Sequence, residues 1–453
     1  MKTKYLVSRQ NIPEDGSYEI IDNLALNLRA SPADQLLVFP DVHYKRGSNV
    51  TNGLLTASDT YIYPSMLGVA NCGYTWGIIR CERCVTNAEI AGIFEQLAST
   101  MHEHTLPTRI SEKELWLEFK AELKRSWDNG SDAQIFKFLQ IKSFESLLKT
   151  FGKFFPREVF KSATKSLGTL GGGNHFMEAH EIIENYSSNF EAGDKVFILH
   201  SDSVSVGSKV YLLFSNLADL NSISGRRRYL VKLVNRYRQF KYFLKHAELS
   251  LAYVRDVYCL LFNPDPMRAI SYKSRLGKLL LINFYFCSIF GEMNRRRIVL
   301  SLENKHESGT KLQVEIHGSD SHDSISLEEK DQKLELVQRN GVQKLKDNDF
   351  FVLPGALGTY SYIMKGTSSK ENYRSVNHGV GRIHDKHIAR ELFETPQDNS
   401  QFPTLPVFRL SNVSLSEQHP KSFKSVDDII TEMARYELAE KGALLKPICS
   451  IKA

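Results

Sequence analysis

Ser166-Leu167-Gly168-Thr169-Leu170-Gly171-Gly172-Gly173-Asn174-His175-Phe176-Met177-Glu178 runs three consecutive glycines straight into an Asn-His pair. Glycine permits backbone conformations and close approaches that a β-carbon forbids, so such a run lets the main chain skirt a ligand, a phosphate or a metal. The polar residues that follow supply chemistry. His175 can ligate a metal through one ring nitrogen while Asn174 and Glu178 orient it or bind substrate. In isolation the segment also reads as a glycine-rich turn with a chance histidine. It is not isolated, because His and Cys recur in glycine-bearing settings at Asp41–Gly47, Asn71–Gly73, His200, His322 and His378–Arg382.

Working outward, the apolar run Leu36–Phe39 reads as a buried strand that delivers Pro40-Asp41-Val42-His43-Tyr44-Lys45-Arg46-Gly47 onto a loop. Asp41 and His43, followed by two cations, can handle a proton and a phosphate together. Cys72 sits between Asn71 and Gly73, before a strand over Trp76–Ile79, where it is either a thiolate ligand or a buried thiol. Cys81-Glu82-Arg83-Cys84 lacks a second pair at zinc-site spacing and reads as structural. From Asn87 to Phe155 apolar residues recur at helical spacing and belong to the core.

A strand over Asp194–Leu199 leads into His200-Ser201-Asp202-Ser203. Residues 208–297 read as a mostly helical, basic and aromatic region without a catalytic constellation. Beyond it, His317, Asp320, His322 and Asp323 cluster, with Glu328 following. Pro354-Gly355-Ala356-Leu357-Gly358-Thr359-Tyr360-Ser361-Tyr362 combines glycines with hydroxyls at a strand end, suited to presenting donors to a nucleotide phosphate. Asn377-His378-Gly379-Val380-Gly381-Arg382 holds a histidine among small residues with an arginine four later, suited to a nucleophilic imidazole attacking an arginine-neutralised phosphate. Lys446–Ala453 reads as an apolar tail carrying Lys452 back into a site.

The 453 residues are 42% hydrophobic with 26 Phe and 19 Tyr, a globular composition that excludes a disordered chain. Six scattered cysteines argue against a disulfide framework and for a reducing compartment. No secretory signal is visible, and Leu279–Phe290 is too short an apolar run to span a bilayer, so a cytoplasmic protein without membrane contact is expected. The net charge is +6, with basic clusters at Arg226–Arg228, Arg236–Lys245 and Arg295–Arg297. Interleaved with Tyr and Phe, they suit a phosphate backbone and stacked bases as well as a solvated helix face.

Taken together, these segments resemble the RtcB family of RNA ligases nearly end to end. Pro40–Gly47 is similar to the family's Pro-Asp-Val-His loop, and Gly168–Glu178 to its Gly-x-Gly-Asn-His-Phe-x-Glu segment. His378–Arg382 is similar to its His-Gly-Ala-Gly-Arg, and Lys446–Ala453 to its Arg-Pro…Lys-Gly terminus. The resemblance implies one large α+β domain over residues 1–453, with packed β-sheets around a central metal and nucleotide cleft, flanking helices, and a mostly helical basic insertion at about 208–300. It implies a GTP- and Mn²⁺-dependent ligase that joins RNA 3′-phosphate or 2′,3′-cyclic phosphate ends to 5′-hydroxyl ends through a histidine–GMP intermediate, with an archease-like activator as a candidate partner. Carried over residue by residue, it makes Cys72, His175, His200 and His322 metal ligands, the last placed by Glu328, and His378 the nucleophile. Asp41, His43 and Arg382 assist catalysis. Asn174, Glu178, Pro354, Gly355, Ala356, Gly358, Ser361 and Lys452 face the nucleotide, with Lys452 reading guanine.

The chain also departs from the family. Val69 stands where the family has an aspartate three residues before its cysteine, and Val204 replaces an arginine. Losing a carboxylate from a dinuclear site weakens the second ion. One tight site at Cys72, His200 and His322 is therefore expected, with a second at His175 weak or empty, or else Asp59 or Asp202 stands in for the lost carboxylate. The alternative reading is an altered or non-catalytic paralogue that binds RNA ends or nucleotide without sealing.

Overall fold

The computed structural model describes residues 2–28, 34–44, 50–67, 70–81, 85–104, 110–214, 225–248, 250–262, 269–303, 312–345, 349–367, 369–394, 405–411 and 415–453. Lys45, Arg46, Gly47, Val69 and Cys84 lie outside the described residues.

In chain order the strands begin with β1 (Lys2–Tyr5), β2 (Gln35–His43), β3 (Asn52–Ser58), β4 (Tyr61–Ile62), β5 (Gly73–Cys81), β6 (Phe176–Asn185), β7 (Lys195–Ser201) and β8 (Ile270–Ser271). They continue with β9 (Leu312–Ser321), β10 (Asp323–Lys330), β11 (Lys333–Asn340), β12 (Val342–Lys344), β13 (Phe350–Leu353), β14 (Ser361–Gly366), β15 (Ser375–Asn377), β16 (Val407–Arg409) and β17 (Ala439–Lys452). The helices are α1 (Ser17–Leu28), α2 (Asn87–His104), α3 (Glu112–Asn129), α4 (Ala133–Phe138), α5 (Phe144–Phe154), α6 (Arg157–Ser162), α7 (Ser205–Phe214), α8 (Gly225–Lys245), α9 (Leu251–Phe262), α10 (Arg275–Leu302), α11 (Lys386–Phe393) and α12 (Val426–Arg435).

The larger sheet runs β13-β14-β17-β6-β7-β5-β9, with β16 paired to β17, and the second runs β1-β2-β3-β11-β10. Gly73–Ile79 of β5 and Phe176–His180 of β6 are buried without alternation, because both faces of the sheet are covered there. Between the sheets Phe39, Leu55, Val337, Phe351 and Met364 share one core with Ile429 and Met433 of α12. The fold is the expected α+β arrangement of packed sheets flanked by helices.

A second core forms around α10, whose N-terminus is capped by Ser274 Oγ accepting from Gly277 N at 3.1 Å. Phe286 and Phe290 of α10 meet Phe151 and Phe119 at ring distances of 4.9 and 4.8 Å. At 28 residues α10 is long and apolar enough to cross a bilayer, but 83% of its most apolar part is buried inside the protein, which makes it a core helix. The chain end differs from the expected tail. β17 is a 14-residue strand held between β14 and β6 in the middle of the larger sheet.

Candidate active site and metal centre

Three strand ends meet where Cys72 enters β5. Asn71 turns the chain with φ 61°, and Cys72 O accepts from His322 N at 2.9 Å and from Asp323 N at 3.3 Å. Gly73 is paired to both Ser201 and Ser321, and a Cβ there would sit 2.3 Å from Asp320 O, so only glycine lets β9 lie this close. His200, in β7, is paired with Tyr74 on one side and Phe176 on the other. The glycine run then folds His175 in from below β6. Gly171 has φ +81°, and a Cβ on it would meet His175 Nδ1 at 3.2 Å.

Cys72 Sγ consequently lies 3.3 Å from His175 Nε2 and 3.1 Å from His200 Nε2, all three residues buried. Two groups of donors form, Cys72–His175–His200 and Cys72–His322–Asp323, each with ligand atoms within 4.8 Å of one another. His175 belongs to the first group and His322 to the second, so the expected grouping of Cys72 with His200 and His322 is not the one the atoms make. The donors fit a divalent metal. His175 Nδ1 donates to Leu170 O at 2.8 Å, which leaves Nε2 as a lone-pair donor facing the thiol. Burial drives the pKa values of His175 and His200 down, holding both imidazoles neutral as ligation requires. A thiolate with imidazoles suits Zn²⁺ more than Mn²⁺ by softness, while Asp323 supplies the oxygen that Mn²⁺ prefers.

His378 follows β15, and its ring lies 4.6 Å from that of His322. The two are coupled through the backbone, since Val342 donates to His322 O and pairs with Asn377. Asp41 Oδ2 accepts from His378 Nδ1 at 2.5 Å and from His378 N at 3.1 Å. Nδ1 is thus committed to Asp41, the Gly341 backbone also hydrogen-bonds the ring, and Nε2 is the nitrogen that attack on a phosphate would use. Burial works to lower the His378 pKa, but the Asp41 carboxylate, helped by Asp323 and the Gly341 backbone, outweighs it and holds the group above its ordinary value. Gly381 abuts Asp41 O so closely that a Cβ would stand 2.4 Å away, and Lys424 Nζ donates to the carbonyls of Pro40 and Val42. His43 Nδ1 bonds the Asp41 carbonyl at 2.7 Å, and burial drives its pKa down to about 3, so it stands as a neutral support of the Asp41 turn.

Arg382 is buried over the Phe423 ring at 4.2 Å, with Nη1 donating to Glu417 O. Its Nη2 is buried with no hydrogen-bond partner among the described residues. Lys452 is paired with Phe176 across β17 and β6 and lies 4.6 Å over that ring. Glu178 accepts from Ser450 Oγ at 3.0 Å and bonds His180 at 3.2 Å. Asn174 is exposed on the glycine turn.

Three expectations change. Glu328 does not place His322, because its carboxylate pairs with Arg339 at 2.7 Å and Lys344 at 3.1 Å. In the Pro354–Tyr362 loop the hydroxyls close the turn itself, with Gly355 N donating to Ser361 Oγ at 3.0 Å and Thr359 Oγ1 donating to Ala356 O at 2.8 Å. The loop still borders His378, since a Cβ on Gly379 would lie 3.9 Å from Pro354 O. Among His317, Asp320, His322 and Asp323, His317 turns away to stack on Trp76 at 5.4 Å.

A family model described as tRNA-splicing ligase RtcB matches residues 26–453. The chain belongs to the RtcB family. It is 22% identical over 428 residues to the RNA-splicing ligase RtcB of Escherichia coli strain K12, covering 92% of this chain and 90% of that protein. It is also 22% identical over 426 residues to the RNA-splicing ligase RtcB1 of Escherichia coli strain ATCC 25922, with the same coverage of 92% and 90%. The tRNA-splicing ligase RtcB of Methanopyrus kandleri is 20% identical over 317 residues, 63% of this chain and 30% of that protein.

In this RtcB chain α10, read from sequence as ordinary packing with a basic Arg295–Arg297 cluster suited to a phosphate backbone or a solvated face, supplies two residues that hold the donor loops. Arg295 is buried, and Arg296 and Arg297 pair with Glu122 and Glu118. Asn294 Oδ1 accepts from Gly168 N at 2.7 Å, and its Nδ2 donates to Thr169 O at 3.0 Å and to Ser201 Oγ at 2.8 Å. Arg295, fully buried, donates through Nη1 to Asn71 O at 3.1 Å and to Ser201 O at 3.2 Å. One helix turn thus ties the glycine run, the end of β7 and the Cys72 loop together. Arg295→Met roughly keeps the volume and removes the Arg295 bonds, so the Cys72 loop loses its tie to the end of β7 while Asn294 still holds the glycine run. We expect metal affinity to fall about ten- to hundred-fold, as for other groups that orient ligands, checked by titration against a chromophoric chelator. Tyr74 was also missed. Its ring packs at 4.6 Å on His200 and 5.1 Å on His322, walling the imidazoles from water.

Proposed function

We propose that the chain is an RNA ligase that joins 3′-phosphate or 2′,3′-cyclic phosphate ends to 5′-hydroxyl ends, using GTP and Mn²⁺ through GMP carried on His378. Family membership supports RNA ligase activity, and the Cys–His–His cluster is compatible with a metal requirement. The observation that carries the finer reading is the Asp41–His378 pair beside the second donor group. An imidazole whose Nδ1 is bonded to a buried carboxylate presents Nε2 in fixed orientation and tautomer, as a nucleophile toward phosphorus needs. Attack by Nε2 on the α-phosphate forms the N–P bond as the bond to pyrophosphate breaks, and Nδ1 keeps its proton with Asp41 accepting the hydrogen bond. A metal held by Cys72 and the histidines supplies positive charge at the attacked phosphate. Arg382 brings its unpartnered Nη2 to the same charge, and Lys452 binds the base. The test is covalent, acid-labile labelling with GTP and Mn²⁺. A chain that never labels but binds RNA ends is the non-catalytic paralogue.

Lys452 carries a pH prediction. Burial pushes its ammonium down to about 8, against the pull of Glu178. GTP affinity should therefore fall as pH rises through about 8, by ten- to hundred-fold for loss of a charge-assisted hydrogen bond. Lys452→Arg should stay flat over that range and Lys452→Gln should be weak throughout. Stability moves the other way. Between about 8 and the ordinary 10.5 the unfolded chain holds a proton that the folded one lacks, so raising pH across that window favours the fold. Nucleotide titrations and melts at stepped pH separate the two.

A further inference from the structure

We propose that α8 and α9 form a membrane-contacting hairpin that rests on an anionic phospholipid surface. This departs from the sequence expectation of no membrane contact and is independent of the ligase reading. The inner face of α8 is anchored, with Asn235 and Gln239 donating to Leu212 O at 2.9 and 3.0 Å and Tyr242 Oη donating to Phe154 O at 2.9 Å. On the opposite face Leu233, Tyr237, Phe240 and Leu244 are 50, 66, 54 and 64% exposed. Their i, i+4, i+7, i+11 spacing makes one straight apolar stripe, about 16 Å long at helical rise.

α9 repeats the pattern. Tyr253, Leu260 and Leu261 are buried, while Leu251 (91% exposed), Val254, Tyr258 and Phe262 line the outer side. Soluble surfaces scatter single apolar residues and seldom align them on two contiguous helices.

Charge selects the occupant. Of the 21 residues of α8 eight are Lys or Arg and none is acidic, and Arg236, Arg238, Lys241 and Lys245 are exposed beside the stripe. Where the hairpin turns, a cavity of about 330 Å³ is lined by Lys273, Arg275 and Lys278 together with Glu248, Ser250 and Tyr253. With three cations to one carboxylate, this cavity next to the most exposed leucine keeps a positive balance that suits a phosphate headgroup above acyl chains. A second copy of the chain would set the cationic helix against itself. RNA would use the cations and tyrosines, but the bare Leu244, Leu251 and Val254 offer no base-stacking face, whereas acyl chains below anionic headgroups match both the apolar stripe and the flanking cations.

The full chain is co-sedimented with phosphatidylcholine vesicles and with vesicles containing phosphatidylserine. We expect binding to the second only, weakening as salt is raised. Phe240→Asp with Leu244→Asp should lower partitioning at least about ten-fold, and Lys241→Glu with Lys245→Glu by a similar factor, each cation near the surface being worth about five-fold. These positions are exposed, so unchanged melting and metal binding confirm an intact fold. Absence of sedimentation with either vesicle, or full binding by the Phe240/Leu244 variant, overturns the proposal. So does loss of RNA affinity or of a dimer in these variants without vesicle binding, which would assign the face to RNA or to a second copy.

Discussion

His378→Ala is expected to abolish covalent GMP, a loss of at least about a thousand-fold in labelling rate, because removing a nucleophile leaves only binding and electrostatics. The fold should survive. His378 is held by Asp41 and a ring contact, not by the apolar core, and the alanine keeps the backbone N–H that Asp41 also accepts. Asp41→Asn separates orientation from nucleophilicity. The carboxylate that raises the His378 pKa is gone, so the pH at which labelling rises should move down, while the maximal rate falls about ten- to hundred-fold. In the wild type, labelling should grow with pH, since the raised pKa keeps part of the imidazole protonated and only the neutral form attacks. Equal labelling of His378→Ala, or no labelling of the wild type under Mn²⁺, removes the ligase mechanism and leaves the non-catalytic paralogue.

The donor residues were legible in the sequence because each stands at a strand end, Cys72 and His175 beside glycines, and glycine at such positions has a steric cause. Gly73 and Gly381 stand where a Cβ would meet a backbone oxygen at 2.3 and 2.4 Å. Asn294 and Arg295 were not legible. In a helix as apolar as α10 a polar pair reads as a break in the stripe, and only the tertiary fold shows that it reaches three loops more than ninety residues away in sequence. Glu328 misled for the opposite reason, since nearness in sequence to His322 counts for little once β10 carries it away from that residue and the Arg339 side chain reaches along the sheet to its carboxylate. The terminal lysine was read as a tail because Pro447 and scattered lysines break strand alternation. β17 absorbs the proline at a register shift between Pro447 and Cys449. The outward stripes of α8 and α9 were hidden because the packed face of α8 is itself mixed, with Asn235 and Gln239 beside Phe243, so periodicity alone does not say which face is covered.

Cys72→Ala should empty the metal centre altogether, because Sγ is the one atom common to both donor groups. Cys72 would contribute to whichever group holds an ion, so removing it would take a ligand from either. His175→Ala should strip only the Cys72–His175–His200 group, and His322→Ala only the group with Asp323. Metal analysis of dialysed protein then distinguishes the arrangements. If the tight site is the one expected from sequence, Cys72 with His200 and His322, then His175→Ala retains the ion and His322→Ala loses it. The 3.3 Å approach of His175 Nε2 to Sγ, with Nδ1 already committed to Leu170, favours the reverse. The donor chemistry adds a second readout. With one sulfur and two imidazoles, the Cys72–His175–His200 group should hold Zn²⁺ more tightly than Mn²⁺ by at least about ten-fold, whereas the group containing Asp323 should discriminate less. Competition between the two ions in the His322→Ala and His175→Ala proteins measures each group alone, and equal preference in both would mean that the ligand sets have been drawn wrongly.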